Sequence, residues 1–277
     1  MKSKAFSIIE LLLSLVIISC ITAALVPVMN KRISTSVNVT GGGNSGHMSV
    51  ETQHGEKTLT LQLGMKNMVI TKLVGSGGGG GGGAFTENST TSYNSYGGGS
   101  GGTGAALAHS ESVPIVIPDD VISACIDGKV IVRVKPAGIG GSSTNVSGST
   151  AANGTNGDVA EVLVQNSAGT LKYGYRASGG KGGKGATASA VGAAGEKGGT
   201  CELYNGSSWT TISCTNAGSN GVAGSSKTNV INTAAGGAAQ TGYEGYGSSG
   251  AGGSTYGGSA SNGFNGDNGI ARIETDY

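Results

Sequence analysis

Apolar residues follow two contrasting patterns along the chain. Residues 6–29 are almost all apolar, and Glu10 is the charged residue among them. Further along, apolar residues alternate with polar ones, as at Leu59, Leu61 and Leu63, and the alternating runs are separated by glycine tracts. A continuous apolar run of this length predicts a membrane-spanning helix, whereas alternation predicts strands. The predicted fold class is therefore α+β, with a long N-terminal α-helix followed by a mostly β domain.

Strand signals recur at short intervals in the second pattern. Predicted strands cover residues 57–63, 68–74, 113–117, 121–126, 129–134, 159–165, 171–176, 203–204, 209–210 and 270–273. Asp127-Gly128 and Asn205-Gly206 lie between such runs and predict hairpin turns. Residues 33–56 are polar and predict a connector with one short strand near Val37 and Val39.

The glycine tracts of the predicted β domain, residues 57–277, contain a spacing of three residues. The glycines with this spacing are Gly154 and Gly157; Gly192, Gly195 and Gly198; Gly218, Gly221 and Gly224; and Gly263, Gly266 and Gly269. Polyproline II has three residues per turn, and helices of this kind need glycine wherever packed backbones touch. We therefore expect polyproline II-like tracts that stack through their peptide groups. Residues 153–158 and 262–267 also form a weak internal repeat, Asn-Gly-x-Asn-Gly-Asp.

Charged residues give the N-terminal apolar segment an orientation. Lys2 and Lys4 precede it, so the positive-inside rule places the N-terminus in the cytoplasm and the chain after Arg32 outside. A lone carboxylate such as Glu10 costs about 2.5 to 3.5 kcal/mol deep in lipid. Glu10 is therefore expected to have a partner.

The N-terminal residues carry a specific signal. Ala5-Phe6-Ser7-Ile8-Ile9-Glu10-Leu11-Leu12 resembles the prepilin peptidase cleavage and methylation signal of type IV pilins and type II secretion pseudopilins. The resemblance implies that residues 1–5 are a leader, that prepilin peptidase cuts between Ala5 and Phe6, and that the new Phe6 amine is methylated. The family usually has glycine before the cut, where this chain has Ala5.

The resemblance also implies how subunits would assemble. Glu10 would pair with the Phe6 amine of a neighbouring subunit, because two opposite charges that are each costly in hydrocarbon are tolerated together. Residues 6–32 would form a transmembrane and filament-core helix. Pro27 would kink that helix, since proline lacks the backbone N–H.

A filament function follows from the same resemblance. It implies a structural subunit of a type IV pilus-like filament, including a minor or tip pilin, with prepilin peptidase and other pilin subunits as partners. It implies a single-pass bacterial inner-membrane protein with a cytoplasmic N-terminus, later part of an extracellular pilus or cell-envelope filament. A type II secretion pseudopilin is an alternative.

A surface lipoprotein adhesin is a further alternative. Ile17-Ile18-Ser19-Cys20 fits a lipobox, with Cys20 as the lipidated residue. Glu10 would then lie inside the hydrophobic region of the signal, and the chain stays apolar after Cys20 instead of becoming a polar tether. Both features favour the pilin interpretation.

The alternation of strands with glycine tracts over residues 57–277 is similar to the glycine-rich domains of bacterial surface proteins and phage tail adhesins. It implies an adhesive domain, with a surface or glycan receptor as a further partner. Tyrosines set in glycine and serine suit such binding, or else fill small cores between tracts. They are Tyr93, Tyr96, Tyr243, Tyr246 and Tyr256.

Composition excludes several function classes. Glycine accounts for 55 of the 277 residues, so a large conventional core is not expected. The net charge of +1 indicates no nucleic-acid partner. The three histidines lack metal-ligand spacing, and the sequence contains no catalytic constellation. We expect neither an enzyme nor a metal or cofactor.

The cysteines predict one disulfide bond. Cys201 and Cys214 flank the predicted hairpin at Asn205-Gly206, and disulfides persist in exported proteins. Cys125 has no evident partner and is expected to be a buried, unreactive side chain.

Overall fold

The computed structural model describes residues 36–40, 46–90, 92–108, 115–228 and 232–277. The predicted helix over residues 6–32 and the predicted sites at Ala5, Phe6, Glu10 and Pro27 lie outside these residues. Over most of their length, the described residues alternate between strands and glycine tracts.

Strands account for nearly all of the regular structure. In chain order they are β1 (Ser36–Thr40), β2 (His47–Thr52), β3 (Gly55–Thr60), β4 (Lys66–Val74), β5 (Ala84–Ser89), β6 (Ser92–Tyr96), β7 (Ala106–Ala108), β8 (Ile115–Val116), β9 (Lys129–Val134), β10 (Ala160–Gln165), β11 (Leu171–Ala177), β12 (Cys201–Tyr204), β13 (Trp209–Ile212), β14 (Ser226–Lys227), β15 (Thr255–Tyr256), β16 (Ser259–Ala260) and β17 (Ile270–Asp276). The helix α1 (Asp119–Ala124) separates β8 from β9. The predicted α+β class is wrong, because the described residues are nearly all β. Within these ranges, no helix is long and apolar enough to cross a membrane.

The predicted strand over residues 121–126 is also wrong, because most of it is helical in α1. Asp119 and Asp120 lie in the first turn of α1, where carboxylates complement the helix dipole. Asp127-Gly128 lies between α1 and β9 and so does not connect two strands, and Asp127 has a left-handed φ of 62°. Local helix-start signals outweighed the apolar run.

Two antiparallel sheets pack face to face as a sandwich. One has the strand order β1-β2-β17-β4-β7, with β8 also paired to β4, and the other has the order β13-β12-β11-β10-β9-β3. The residues between the sheets form the main core, which includes Val50, Leu61, Met68, Ile70, Leu73, Val130, Val132, Val162 and Ile273. Both β1 and β2 lie within the predicted connector, and β2 pairs with β17.

Ten glycine-rich tracts extend from one end of the sandwich. They are tract 1 (75–83), tract 2 (97–105), tract 3 (138–144), tract 4 (151–158), tract 5 (178–186), tract 6 (192–198), tract 7 (216–225), tract 8 (235–240), tract 9 (247–254) and tract 10 (261–269). Strands β4 and β11 continue directly into tracts 1 and 5, whereas tracts 2 and 10 lead directly into β7 and β17. The strands therefore fix the positions at which these four tracts join the sandwich.

Tract 1 lies at the centre of a hydrogen-bonded bundle. Its N–H groups from Gly75 to Gly83 donate in rotation to carbonyl groups of tracts 2, 4 and 10, at 2.8 to 3.1 Å. Every third residue thus bonds the same neighbour, as expected for a backbone with three residues per turn. Its carbonyl groups accept in rotation from tracts 5, 3 and 9. Six other tracts therefore surround tract 1.

Tract 2 is surrounded in the same way, by tracts 1, 5, 6, 7, 8 and 9. The tracts around each centre also bond to one another, so the bundle has three layers. The upper layer contains tracts 4, 5 and 6, the middle layer tracts 3, 1, 2 and 7, and the lower layer tracts 10, 9 and 8. This arrangement gives every N–H group of both central tracts, and most of their carbonyl groups, a backbone partner without water.

Glycine is required where the tracts touch. A Cβ atom on Gly154 would lie 2.2 Å from the carbonyl oxygen of Gly79, and one on Gly263 would lie 2.1 Å from that of Gly80. These distances are far inside van der Waals contact, which is about 3.5 to 4.0 Å between carbon atoms. The spacing of three in the sequence therefore marks residues that face a neighbouring backbone.

Asparagine side chains bond the outer edges of the bundle. Asn153 and Asn156 of tract 4 accept hydrogen bonds from the N–H groups of Gly185 and Gly182, at 2.9 and 3.0 Å. Three asparagines of tract 10 do the same for the 137–143 segment, and these are Asn262, Asn265 and Asn268. Each Asn-Gly pair of the repeat combines an edge acceptor with a glycine that faces the bundle.

Asn156→Ala is expected to lower the free energy of unfolding by about 1 to 3 kcal/mol, because the N–H of the buried Gly182 loses its acceptor. Urea unfolding measures the loss. Asn156→Asp keeps an oxygen acceptor in place and should retain most of the stability. Equal stability of the alanine variant and the original protein would contradict this role.

Candidate binding surface at the distal tip

The ends of the tracts away from the sandwich are joined by hairpins and loops, which together we call the distal tip. Its described residues are the β5–β6 hairpin (84–90 and 92–96), the loops 145–150 and 187–191, β14 and the residues near it (226–228 and 232–234), and the β15–β16 hairpin (255–260). Tract 1 spans nine residues, so the tip lies about 28 Å from the sandwich at about 3.1 Å per residue. Loops on a rigid scaffold are common locations of binding sites.

One face of the β5–β6 hairpin packs on the end of the upper layer. Tyr96 and Ala84 form a small buried cluster with Ala151 and Ala186, and Val191 packs against it. On the same side, the Thr86 hydroxyl donates to the carbonyl of Ala188 at 2.6 Å. These contacts fix the hairpin to the loop between tracts 5 and 6.

The other face of the hairpin packs on the end of the lower layer. The Tyr93 ring contacts Gly258, where a Cβ atom would lie 2.8 Å from Tyr93 Cε1. The Phe85 ring is 5.9 Å from that of Tyr93, centroid to centroid, in an edge-to-face arrangement. The position of Tyr93 is therefore set by both hairpins.

The loop 145–150 ties the two hairpins together. Gly148 N–H donates to the carbonyl of Phe85 at 3.0 Å, and the Ser147 hydroxyl accepts from Glu87 N–H at 2.8 Å. The Asn145 side chain accepts from Ala260 N–H in β16, also at 2.8 Å. The tip is thus a hydrogen-bonded unit with a defined shape.

The tip exposes large side chains in polar surroundings. Tyr256 is 59% exposed and Val146 is 66% exposed. The described tip segments otherwise consist mainly of serine, threonine, asparagine and glycine, with Glu87 and Lys227 as their charged residues. Rigid aromatic anchors among small polar residues are the composition of adaptable binding surfaces.

The tyrosines singled out from the sequence have different roles. Tyr96 is 9% exposed and belongs to the small core at the tip. Tyr243 and Tyr246 pack against a separate cluster beside the sandwich. Tyr93 and Tyr256 remain as surface residues of the tip. The exposed Val146 and Glu87 were missed, because nothing in the local pattern shows which loops meet at one end.

The structure joins Cys201 and Cys214 by a disulfide, with Cα atoms 5.3 Å apart. The bridge links the start of β12 to the residues before tract 7. Cys125 is a free thiol, 1% exposed, and burial raises its pKa above the ordinary cysteine value. A thiol of this kind is a poor nucleophile.

A charged cluster lies at the opposite end of the sandwich from the bundle. His47 Nδ1 is 3.3 Å from Asp276 Oδ1, and His47 Nε2 is 3.5 Å from Glu274 Oε2. Hydrogen bonds from Asn67 and His47 hold the pKa of Asp276 below its usual value. These contacts pair strands β2, β4 and β17, and no group of side chains in the described ranges has the makeup of a metal site.

Comparison with protein-family models and with curated proteins finds no match for this chain.

Proposed function

We propose that the protein is a structural subunit of a type IV pilus-like filament that presents its glycine-rich domain as an adhesive surface. The observation that carries this proposal is the segment Ala5 to Leu12, with Glu10 five residues after the cut site. A lone carboxylate in so apolar a segment is costly unless a neighbouring subunit supplies a positive charge. The Phe6 amine released by cleavage is such a charge.

The steps follow from the chemistry of that segment. Lys2 and Lys4 keep the N-terminus in the cytoplasm while residues 6–29 enter the bacterial inner membrane. Prepilin peptidase removes residues 1–5, and the Phe6 amine is methylated. Pairing of Glu10 with the Phe6 amine of the next subunit then sets the register between subunits.

The glycine-rich domain has features that suit an extracellular, adhesive role. The Cys201–Cys214 disulfide is a bond that persists outside the cytoplasm. Strand β1, where the described chain begins, belongs to the sandwich, and the bundle separates the sandwich from the tip. The tip is therefore the part of this domain that lies farthest from the sandwich.

Mass spectrometry of the N-terminus of the protein purified from its membrane tests the proposal. A chain that begins with N-methyl-Phe6 supports a filament subunit. A chain that begins with diacylated Cys20 would establish the lipoprotein alternative instead. A pseudopilin shares the methylated N-terminus, so gene deletion separates the two: a pilin deletion removes surface filaments, whereas a pseudopilin deletion retains secretion substrates inside the cell.

Glu10→Ala is expected to leave membrane insertion intact and to abolish incorporation into filaments, because the Phe6 amine of the neighbour loses its counter-charge. Sheared filaments and membrane fractions, probed for the subunit, measure the two quantities. Ser7→Ala, a change in the same segment that keeps the carboxylate, is the control. Incorporation of the Glu10→Ala subunit at the level of the control would contradict the assembly mechanism.

A further inference from the structure

Asn-Gly pairs recur along the chain, and the structure describes all of them. They begin at Asn153, Asn156, Asn205, Asn220, Asn262, Asn265 and Asn268. In such a pair the backbone nitrogen of glycine can attack the side-chain carbonyl carbon of asparagine, and the missing Cβ atom of glycine leaves the approach open. The reactivity of a pair therefore depends on what holds the glycine N–H and the asparagine carboxamide.

Both groups are held in the pairs that belong to the bundle. In tract 7, Gly221 N–H donates to the carbonyl of Gly195 at 2.8 Å, and the Asn220 side chain accepts from Lys197 N–H at 3.0 Å. The same two kinds of bond recur at every Asn-Gly pair of tracts 4 and 10, where the glycine N–H bonds measure 2.8 to 3.1 Å. In each case the glycine N–H and the carboxamide both point at a neighbouring tract instead of at each other.

The remaining pair, Asn205-Gly206, lies in the exposed loop of the β12–β13 hairpin. Gly206 N–H has no hydrogen-bond acceptor within the part of the chain that the structure describes. A Cβ atom at Gly206 would have one neighbour within 4 Å, the Lys172 carbonyl oxygen at 3.6 Å, so the space around this glycine is open. Water and dissolved base therefore reach its N–H.

The Ser207 hydroxyl favours reaction at this loop. It donates to Asn205 Oδ1 at 3.3 Å. The bond spans Gly206, so it keeps the Asn205 carboxamide against its own turn. A donor at a carbonyl oxygen also stabilises the negative charge that develops there when a nucleophile adds to the carbon. The loop thus combines a polarised carboxamide with a backbone nitrogen that has no competing acceptor among the described residues.

We propose that Asn205 is a site of spontaneous deamidation and that the bundle protects the other Asn-Gly pairs from this reaction. Gly206 N–H gives its proton to base, and the nitrogen forms a bond to Asn205 Cγ. The carboxamide nitrogen takes up a proton and leaves as ammonia. Water then opens the succinimide ring at either carbonyl, which yields aspartate or isoaspartate. In sum, one amide becomes one carboxylic acid, one water is consumed and one ammonia is released.

The position of the reactive pair limits the effect on the fold. Isoaspartate places an extra methylene group in the backbone, and in a tract this would shift the three-residue period that brings each glycine against its neighbour. Asn205 lies instead in a loop between two strands, and loops tolerate such changes. The modification adds one negative charge to the surface of the sandwich. It goes beyond the proposed filament function and does not depend on it.

Peptide mapping of the full-length protein in detergent micelles tests the proposal. The protein is incubated at mildly alkaline pH in water enriched in the heavy oxygen isotope, which labels each succinimide that opens, and is then reduced and digested with trypsin in ordinary water. Residues 198–227 form one tryptic peptide that contains both Asn205 and Asn220, and fragment ions distinguish the two. Asn205 should convert at least about tenfold faster, because reaction at Asn220 first requires the bundle to open, and about 1.4 kcal/mol of opening free energy gives a factor of ten.

In urea the two residues should convert at similar rates, because the bundle no longer protects Asn220. Ser207→Ala should slow conversion of Asn205 in the folded protein, since the carboxamide loses its donor. Asn205→Gln is the matched control, because it keeps an amide but disfavours closure of the ring, and this position should remain unlabelled.

Two results would overturn the inference. One is equal labelling of Asn205 and Asn220 in the folded protein. The other is an unlabelled Asn205 after the time that converts the chain in urea. Neither result depends on the N-terminal mass that tests the filament function.

Discussion

Gly79→Ala is expected to disrupt the glycine bundle and to lower the free energy of unfolding by about 3 kcal/mol or more. Gly79 lies in tract 1, and its added Cβ atom would be 2.2 Å from the carbonyl oxygen of Ile139 and 2.9 Å from the backbone nitrogen of Gly140. Both neighbours are backbone atoms held by their own hydrogen bonds, so no side chain can rotate away. The central tract must therefore move away from tract 3, and bonds to several tracts weaken together.

Urea unfolding followed by circular dichroism and by the fluorescence of the single tryptophan, Trp209, measures this loss. Gly199→Ala is the matched control, because no atom lies within 4 Å of the position of its Cβ and its φ is not left-handed. The control should unfold near the same urea concentration as the original protein. If Gly79→Ala did the same, tight backbone packing around tract 1 would be refuted.

Reduction of the Cys201–Cys214 disulfide is expected to lower the free energy of unfolding by about 3 kcal/mol. The bond closes a loop with a sequence separation of 13 residues, and Cys201 is fully buried against the main core. It also ties together the ends of tracts 6 and 7, which bond to each other in the bundle. Without it, the β12–β13 hairpin at the edge of its sheet is held by strand pairing, by the packing of Leu203 and Ile212 on the main core and by the Arg176–Glu202 ion pair.

Thermal unfolding with and without a reductant measures the effect of the disulfide. The double variant with Cys201→Ser and Cys214→Ser should unfold at the temperature of the reduced protein, and reductant should not shift it further. That second measurement separates the disulfide from any effect on Cys125. An unchanged unfolding temperature of the original protein in reductant would show that the bond contributes nothing.

Strand positions were largely predictable from the sequence, because the two sheets bury alternating residues. The predicted strand over residues 129–134 matches β9, and that over 171–176 matches β11 within one residue. The failure at α1 has a local cause: the acidic residues that favour a helix start lie before the apolar run used for the prediction. Leu63, counted in an alternating strand, is 80% exposed beyond the end of β3.

The backbone conformation of the glycine tracts was predictable from the sequence, but the way in which the tracts pack together was not. The spacing of Gly154 and Gly157, or of Gly263 and Gly266, indicates a backbone with three residues per turn. The strands determine which tracts become neighbours. The side chains within a tract do not specify which other tract packs against it. The surface of the tip was unpredictable for the same reason, since the segments that carry Tyr93, Val146 and Tyr256 come together only after the tracts are in place.

The centre of the bundle consists mainly of peptide groups, because 14 of the 18 residues of tracts 1 and 2 are glycine. Ordinary domains gain about 12 to 15 cal/mol/K of heat capacity per residue on unfolding, mainly from newly hydrated apolar surface. Hydration of peptide groups contributes with the opposite sign. The bundle should therefore have a flatter stability curve than the sandwich, and it should keep its structure at low temperature, where hydrophobic cores weaken.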